Sequence, residues 1–333
     1  MSEAKFTVSF AGPLVTVQDA GRPGHMRFGV PTSGPMDRLA FDAANAALGN
    51  AFGQTAIEIS LGGLSLSCKQ GAVSVAVAGG DFVVEHAGQR LSSWGVMTIR
   101  KGEQLSIRAG RSGSWAYIAV AGTLQTADWL GSQATHSTSE FGGGSIQTGQ
   151  TLTVIDPLIC EDRLGDIAMP SFVHEGPVRV VMGPQERYFS EDALNQFCTK
   201  DFTVTNAYDR MGMRLRGPAL EPNGALSIPS EPIVRGAVQV SGDGVPTILL
   251  ADHQTVGGYP KIATVISPDT DSLTQHRAGQ TLNFEAISSQ NAVDVVRQFG
   301  SLRARYLEEL SIPRGSLAQR LMRENLNHGC FFD

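Results

Sequence analysis

A ten-residue segment in the last third of the chain holds the densest set of groups that can do chemistry. Residues 252–261 read DHQTVGGYPK, and Lys261 is one of only five lysines in 333 residues. Asp252, Tyr259 and Lys261 supply a carboxylate, a phenol and an ammonium group, while the paired glycines let a ligand approach the backbone closely. A structural hairpin, the alternative, would need the glycines but not so many polar groups. We therefore predict a functional loop, which also contains Gln254, Thr255, Gly257 and Gly258.

An arginine-rich segment precedes this loop. Residues 209–217 read DRMGMRLRG, and the even spacing of Arg210, Arg214 and Arg216 would place all three on one face of a strand. Guanidinium groups bind carboxylates and phosphates through paired hydrogen bonds, so this face is a candidate anion-binding wall. A solvated strand face is the alternative.

A third polar cluster lies near the N-terminus, where a glycine-rich turn leads into a predicted helix. Free N–H groups at the start of that helix, with Arg22 nearby, would suit a bound carboxylate or phosphate. In the alternative interpretation, Asp19 and Asp37 only accept hydrogen bonds from turn and cap amides. The candidate ligand-binding residues of this cluster are Thr16, Gln18, Asp19, Arg22, Ser33 and Asp37.

The elements that must position these clusters are mostly short strands. Residues 36–48 carry apolar side chains on one helical face, with Ser33 as the predicted N-cap and Gly49 as the stop. Beyond the helix, alternating apolar runs recur about every ten residues, which is typical of a β-barrel or sandwich. These predicted strands cover residues 56–59, 64–67, 73–77, 81–84, 97–100, 105–108 and 117–120.

The chain length and a weak internal repeat indicate two β domains. GQTLTV at 149–154 resembles GQTLNF at 279–284, and the stretch from 156 to 177 is rich in proline and glycine without periodicity. We predict an N-terminal β-barrel domain over 1–160, a C-terminal β-barrel domain over 161–290 and a helical tail over 291–333. The tail contains helical patterns at 292–310 and 317–326, separated by a proline.

Composition and missing motifs remove several classes of function. A net charge of −6 argues against a nucleic-acid partner. The sequence contains no long apolar run and no basic leader followed by an apolar segment, so we expect a cytoplasmic protein without membrane contact. Phosphate-loop, dinucleotide-binding and serine-elbow motifs are missing. The four cysteines and seven histidines form no close pairs, so we expect reduced thiols and no metal site.

Several segments together resemble the allophanate-hydrolase-subunit-2 family, also called the biotin-dependent carboxyltransferase family, which includes KipA-like proteins. The resemblance begins in TVQDAGR at 16–22 and GVPTSGPMD at 29–37, and it extends over nearly the whole chain. It adds Glu231 and Gln239 to the candidate ligand-binding residues. The later matching segments are GPQE at 183–186, DRMGMRL at 209–215, SE at 230–231, GAVQV at 236–240 and QTVGGYPKIA at 254–263.

This resemblance implies a mainly β fold with two cyclophilin-like β-barrel domains, a few helices and a C-terminal helical tail. It also implies the C subunit of a bacterial ATP-dependent 5-oxoprolinase, which opens 5-oxoproline to L-glutamate with a KipI-like B subunit and a LamB/YcsF-like A subunit. Related domains transfer a carboxyl group from carboxybiotin, and other members antagonise a KipI-like kinase inhibitor. Both alternatives stay open at this point.

The chemistry of the implied reaction suggests roles for the predicted residues. A lactam is a poor electrophile, and ATP can activate it through a phosphorylated intermediate whose negative charge needs nearby cations. We expect Lys261 and Arg210 to supply that charge, Tyr259 and Gln254 to orient the substrate, and Asp252 to act as acid or base. The chain has neither a nucleotide motif nor a biotinyl-lysine motif. A partner protein could therefore bind ATP, and carboxyl transfer would need a separate biotin carrier.

Overall fold

The first half of the chain folds into one large antiparallel sheet. The computed structural model describes residues 2–223 and 228–315. The strands of this half are β1 (Glu3–Ala11), β2 (Thr16–Gln18), β3 (Ala56–Ile59), β4 (Leu64–Gln70), β5 (Ala72–His86), β6 (Gln89–Leu91), β7 (Gly95–Arg100), β8 (Gln104–Val120), β9 (Thr123–Leu124), β10 (Thr151–Ile155) and β11 (Gly165–Asp166), and its helix is α1 (Arg38–Leu48). The strand order is β11-β7-β5-β8-β4-β1-β10-β9, with β2, β3 and β6 beside this path.

Two of the strands are much longer than the sequence pattern predicts. The predicted strands 73–77 and 81–84 are both parts of β5, and those at 105–108 and 117–120 are both parts of β8. The glycines between them mark bends rather than turns, because the pairing of β5 with β8 shifts register next to Gly79. A Cβ atom on Gly79 would lie 2.4 Å from the carbonyl oxygen of Trp115, so only glycine lets the two backbones approach there.

The second half forms a separate sheet of eight strands and a small two-stranded ribbon. The sheet order is β20-β13-β14-β17-β16-β19-β12-β21, and β15 pairs with β18 in the ribbon, where the elements are β12 (Val178–Met182), β13 (Phe202–Tyr208), β14 (Gly212–Arg216), β15 (Glu231–Pro232), β16 (Ala237–Val240), β17 (Pro246–Leu249), β18 (Val256–Gly257), β19 (Lys261–Val265), β20 (Thr281–Leu282) and β21 (Phe284–Ala286). The helices are α2 (Glu191–Thr199), α3 (Ser267–Leu273) and α4 (Ser289–Ser311). The predicted mainly β fold class with a few helices is confirmed.

The proline- and glycine-rich stretch 156–177 and helix α4 both contact the first half. Strand β11 pairs with β7, so the first sheet reaches Asp166, beyond the boundary predicted at 160/161. Helix α4 confirms the helix predicted over 292–310, and its Tyr306 and Phe299 contact the ring of Phe172 edge-on. The helix predicted at 317–326 lies outside the described residues. Within the described part of the chain, no helix is long and apolar enough to cross a membrane.

Helix α1 begins later than the sequence pattern predicts. Its N-cap is Asp37, whose carboxylate accepts a hydrogen bond of 3.0 Å from the amide of Ala40. The predicted N-cap, Ser33, is wrong because its hydroxyl has no partner among the described residues and its φ of 56° belongs to the preceding turn. The predicted stop is confirmed, since Gly49 closes the helix in the left-handed conformation.

Two side chains from the first half complete the core of the second. Met36 and Trp115 are buried in the cluster that otherwise consists of second-half residues such as Phe197 and Val238. The indole nitrogen of Trp115 donates a hydrogen bond of 2.7 Å to the hydroxyl of Tyr208. The hydrophobic core of the second half is therefore incomplete without the first half.

A buried arginine also joins the halves. Arg210, in the turn before β14, donates two hydrogen bonds of 2.9 Å to the carboxylate of Asp252, which follows β17. It also donates to the carboxylate of Glu58 on β3 and, at 2.8 Å, to the carbonyl oxygen of Gly34. Arg210, Glu58 and Asp252 are all fully buried. One guanidinium group of the second half thus holds two segments of the first.

The two carboxylates bind further groups of the first half. Glu58 accepts hydrogen bonds from the amide of Met36 at 2.7 Å and from the hydroxyl of Tyr117 at 2.8 Å. Asp252 accepts hydrogen bonds from the amide and the hydroxyl of Ser137 at 2.9 and 2.8 Å. Burial raises the pKa of Asp252, but the charge of Arg210 and the hydrogen bonds from Arg210 and Ser137 outweigh burial and hold it below its ordinary value. The network is therefore charged as well as buried.

Replacing the central arginine tests how much the fold depends on this network. We expect Arg210→Met to lower the free energy of unfolding by about 3–5 kcal/mol, because two buried carboxylates lose their cation. Arg214→Met is the matched control, since its ion pair with Asp243 is about half exposed and should contribute less than about 1 kcal/mol. Urea unfolding measures both variants. Equal costs for the two would show that the network is dispensable.

The ionisation of Asp37, the N-cap of α1, should make the free energy of unfolding depend on pH. Burial, together with the nearby charge of Asp271, raises the pKa of Asp37 to about 7, so the folded protein holds a proton that the unfolded chain releases near pH 4. The contribution of this group to the free energy of unfolding is fully present below pH 4 and is lost as the pH rises to about 7. Asn caps helices as well as Asp. Relative to the parent chain, Asp37→Asn should gain up to about 3 kcal/mol in urea unfolding between pH 5 and pH 8. A pH-independent difference would contradict this assignment.

Candidate functional site

The loop predicted to be functional lies where the two halves meet. Residues 252–261 run from the end of β17 through β18 to the start of β19. Gln254, Thr255 and Val256 line one side of a crevice of roughly 280 Å³. Trp129 and Phe141, whose stacked rings lie 4.3 Å apart, line the other side. We call this space the inter-half crevice.

A second cavity adjoins the crevice inside the second half. It has a volume of roughly 350 Å³, and its lining includes Arg214, Gln239, Gln254 and Tyr259. Gln254 and Met211 line both spaces, which places the two cavities side by side. We call this second space the amide cavity. Both volumes fall near the lower end of small-molecule sites, so the pair suits a small ligand.

Two side-chain amides give the amide cavity its polarity. The amide nitrogen of Gln254 donates a hydrogen bond of 3.4 Å to the side-chain oxygen of Gln239. The amide nitrogen of Gln239 is buried and has no acceptor within the described residues. A Cβ atom on Gly257 would lie 2.6 Å from that nitrogen, so a larger residue there would displace the Gln239 side chain. A buried donor without a partner is costly, and a ligand oxygen would relieve this cost.

The predicted catalytic lysine belongs to a neighbouring trio. The side chain of Lys261 is 5% exposed, and its ammonium group lies 3.4 Å from the carboxylate of Glu231. Gln185 joins the two, because its amide nitrogen donates to Glu231 at 2.6 Å and its amide oxygen accepts from the backbone of Lys261 at 2.8 Å. Lys261 is also the register partner of Gln239 across β16 and β19. Lys261 is therefore adjacent to a residue that lines the amide cavity, although none of the trio lines that cavity itself.

Asp252 and Arg210 hold the site together through the buried network. Both carboxylate oxygens of Asp252 accept hydrogen bonds from Arg210, and one of them also accepts from Ser137. The predicted roles of Asp252 as acid or base and of Arg210 as a charge over the substrate stay predictions. Their contacts favour a different role, in which they fix the start of the loop 252–261.

The predicted arginine face is wrong in one respect. Arg210 does not lie on the strand with Arg214 and Arg216, because the side chain of Asp209 accepts hydrogen bonds from the amides of Met211 and Gly212 and forms a turn before β14. Arg210 is buried, whereas Arg214 and Arg216 are exposed. Of the three, Arg214 lines the amide cavity.

The N-terminal cluster shapes the crevice through the loop that carries Trp129. Asp19 accepts hydrogen bonds of 2.7 Å from the hydroxyl of Ser132 and from the amide of Gln133. Arg22 donates to the carbonyl oxygen of Ala134 at 2.6 Å and lies over the ring of Trp129. The side chains of Thr16 and Gln18 are buried beneath this loop, and Gln18 donates to its carbonyl oxygen at residue 135.

The amides at the start of α1 are not free to bind an anion. The chain's own groups accept from them: Glu58 from Met36, the Tyr117 hydroxyl from Asp37, Asp271 from Arg38 and Asp37 from Ala40. This arrangement corresponds to the structural alternative for Asp37. Neither Ser33 nor Asp37 lines the crevice or the amide cavity.

Several residues of the site escaped sequence reasoning. Trp129 and Phe141 lie in an irregular stretch without periodicity, and only the fold brings them to the loop 252–261. Glu58 looked like one polar position in an alternating strand. Gln185 had a weak signal, since it lies in the GPQE segment of the family resemblance.

The chain is similar to known proteins along most of its length. Residues 28–286 match the family described as carboxyltransferase domain, subdomain A and B. The chain is 34% identical to the C subunit of 5-oxoprolinase from Haemophilus influenzae, over 85% of this chain and 91% of that protein. It is 29% identical to the C subunit of 5-oxoprolinase from Escherichia coli, over 90% and 96%.

A much larger protein contains the same fold. The crystal structure of the Kluyveromyces lactis urea amidolyase superposes with a TM-score of 0.79 and 25% identity. The superposition covers 93% of this chain but only 20% of that one, so this chain corresponds to one part of the larger enzyme. With the family match over residues 28–286 and the 34% identity to a nearly full-length relative, the chain belongs to the family of carboxyltransferase domains that contain subdomains A and B.

Proposed function

We propose that this chain is the C subunit of an ATP-dependent 5-oxoprolinase and helps to open 5-oxoproline to L-glutamate. One observation carries the proposal. The chain covers 91% and 96% of two relatives that are named as the C subunit of 5-oxoprolinase, but 17% of the urea amidolyase of Lachancea kluyveri. The match to the two C subunits therefore accounts for nearly the whole of each relative, whereas the match to the urea amidolyase accounts for one part of it.

The chemistry of the amide cavity supports a lactam substrate. 5-Oxoproline carries a ring amide and a carboxylate. The unpartnered amide nitrogen of Gln239 can donate to the ring carbonyl, and the Gln254 side chain can hydrogen-bond to the same amide. Arg214, which lines the cavity, can bind the carboxylate. These assignments make Gln239, Gln254 and Arg214 binding residues.

Lys261 is the best candidate for the charge that activation requires. Phosphorylation of the lactam oxygen by ATP places negative charge on the transferred group, and a desolvated ammonium group stabilises such charge strongly. Glu231 and Gln185 fix the position of Lys261 through contacts of 3.4 and 2.8 Å. Tyr259 is half exposed at the rim of the amide cavity, where it can orient the substrate.

The proposal includes further subunits. We expect a KipI-like B subunit and a LamB/YcsF-like A subunit, one of which binds ATP, because this chain has no nucleotide-binding motif. The partners would then deliver the phosphoryl group to the crevice from outside. This chain alone should be inactive.

Carboxyl transfer is the second candidate. The family description and the superposition with urea amidolyase favour it. This chain lacks a biotinyl-lysine motif, so a biotin carrier on another chain would have to enter the inter-half crevice.

One assay separates the candidates. The chain is co-expressed with both partner subunits and supplied with 5-oxoproline and ATP, with and without a biotin carrier, and glutamate is measured. Glutamate formed without biotin supports the proposal. ATP consumption that requires the carrier and yields no glutamate selects carboxyl transfer, and stable binding of a KipI-like partner without any turnover selects a regulatory protein.

A lysine substitution tests the catalytic assignment within that complex. Lys261→Met keeps the aliphatic volume and removes the charge, so glutamate formation should fall by roughly 100-fold or more. The control is Lys69→Met, because Lys69 is an exposed lysine on β4, and it should retain full activity. Circular dichroism and binding to the partner subunits test whether both variants fold. Near-normal turnover of Lys261→Met would remove Lys261 from the mechanism.

A further inference from the structure

A third cavity lies away from the candidate site, at the opposite end of β19 from Lys261. Its volume is roughly 310 Å³. Arg38, from the start of α1, and Arg235, from the turn before β16, both line it. The remaining polar lining residues are Thr264, Ser267 and Thr270. We call this space the two-arginine cavity.

The two guanidinium groups share one close carboxylate oxygen. Arg38 contacts the Oδ1 atom of Asp271 at 2.8 Å, and Arg235 lies 3.8 Å from the same atom. Two further acids lie near Arg38: Asp37 accepts hydrogen bonds from Ala40 and Gln275, and Asp42 pairs with Arg303. Burial and the like charge of Arg38 lower the pKa of Arg235 to about 10. Within the described residues, the two arginines of the cavity therefore share the carboxylate of Asp271 at close range.

Donors at the cavity also lack acceptors. A guanidinium group has five N–H donors. Arg235 donates from its two terminal nitrogens to the carbonyl oxygens of Pro35 and Met36. Its Nε atom is buried and has no acceptor within residues 2–223 and 228–315. A buried donor without a partner is costly, and an acceptor from outside the chain would relieve that cost.

We propose that the two-arginine cavity binds a small oxyanion of the phosphate or carboxylate class. The guanidinium groups of Arg38 and Arg235 supply the positive charge, and the hydroxyls of Thr264 and Ser267 can donate to the remaining oxygens. Apolar side chains such as Val181 and Val296 form the other walls and strengthen the charge interactions. The Arg38 side chain is more than a third exposed, so an ion can enter from solvent.

The site would bind the two halves to each other. Arg235, of the second half, holds Pro35 and Met36 of the first, and Arg38, of the first half, donates to the carbonyl oxygen of Ser267 in the second at 2.7 Å. An anion between the two arginines adds a third connection at the same place. Occupancy should therefore stabilise the junction that also forms the inter-half crevice.

Titration of the isolated full-length chain with inorganic phosphate tests the proposal. Isothermal titration calorimetry should show saturable binding of one phosphate per chain. Arg235→Gln should weaken this binding by at least about tenfold, because a charge-assisted contact is lost. Arg111→Gln, which removes a well-exposed arginine on β8 that lines neither the candidate site nor this cavity, should leave it unchanged. Absent binding, or equal affinity in parent chain and Arg235→Gln, would overturn the proposal.

A second variant covers the case in which Arg235→Gln fails to fold. Thr264→Glu places a carboxylate inside the cavity from a partly exposed strand position, so it should abolish phosphate binding while the circular dichroism spectrum is retained. Unchanged phosphate affinity in folded Thr264→Glu would place the ion elsewhere and overturn the assignment.

Competition with L-glutamate distinguishes a site for phosphate alone from a site that also binds carboxylates. Displacement of phosphate extends the site to carboxylates, and its absence restricts the site to phosphate.

Discussion

The structure depends on one fully buried arginine that is shared by two carboxylates. Arg210 belongs to the second half, Asp252 begins the loop of the candidate site, and Glu58 belongs to the sheet of the first half. Buried charges are tolerated only when their partners are fixed in good geometry. The network therefore helps to fix the position of the two halves relative to each other. The shape of the crevice between them depends on that position.

The candidate site is a product of this junction. The loop 252–261 contributes the polar groups, and the segment with Trp129 and Phe141 contributes the aromatic wall. Asp19 and Arg22 fix the aromatic segment to the first half, whereas Asp252 fixes the polar loop through Ser137. Neither half alone carries a complete crevice. Polar residues that looked like ligands in the sequence mostly hold these loops in place.

The sequence predicted the mainly β fold, helix α1 with its stop at Gly49, and the position of α4, because periodicity and glycine placement are local signals. It failed where the signal is not local. Residues 73–77 and 81–84 were predicted as two strands, but Gly79 between them is a bend in one long strand, where it lets the Trp115 backbone approach closely. Arg210 was predicted on an anion-binding strand face with Arg214 and Arg216, because its burial depends on partners more than 40 and 150 residues away.

The site residues also divide into those with a local sequence signal and those without one. The glycines and amides of 252–261 were found because their density is unusual for a hairpin, and the structure places Gln239, Gln254 and Tyr259 around one cavity. The aromatic wall was missed because no sequence pattern joins residues 129 and 141 to residues 254–256. The family resemblance supplied Glu231 and Gln239, which composition and spacing alone would not have selected.

The burial of Met36 and Trp115 in the core of the second half has a consequence for the history of this fold. If a gene duplication produced the two halves, recombination can no longer separate them, because the core of the second half now contains side chains of the first. Such a pair moves between proteins only as a single cassette. The superposition with the urea amidolyase of Kluyveromyces lactis, which covers 93% of this chain, fits this expectation.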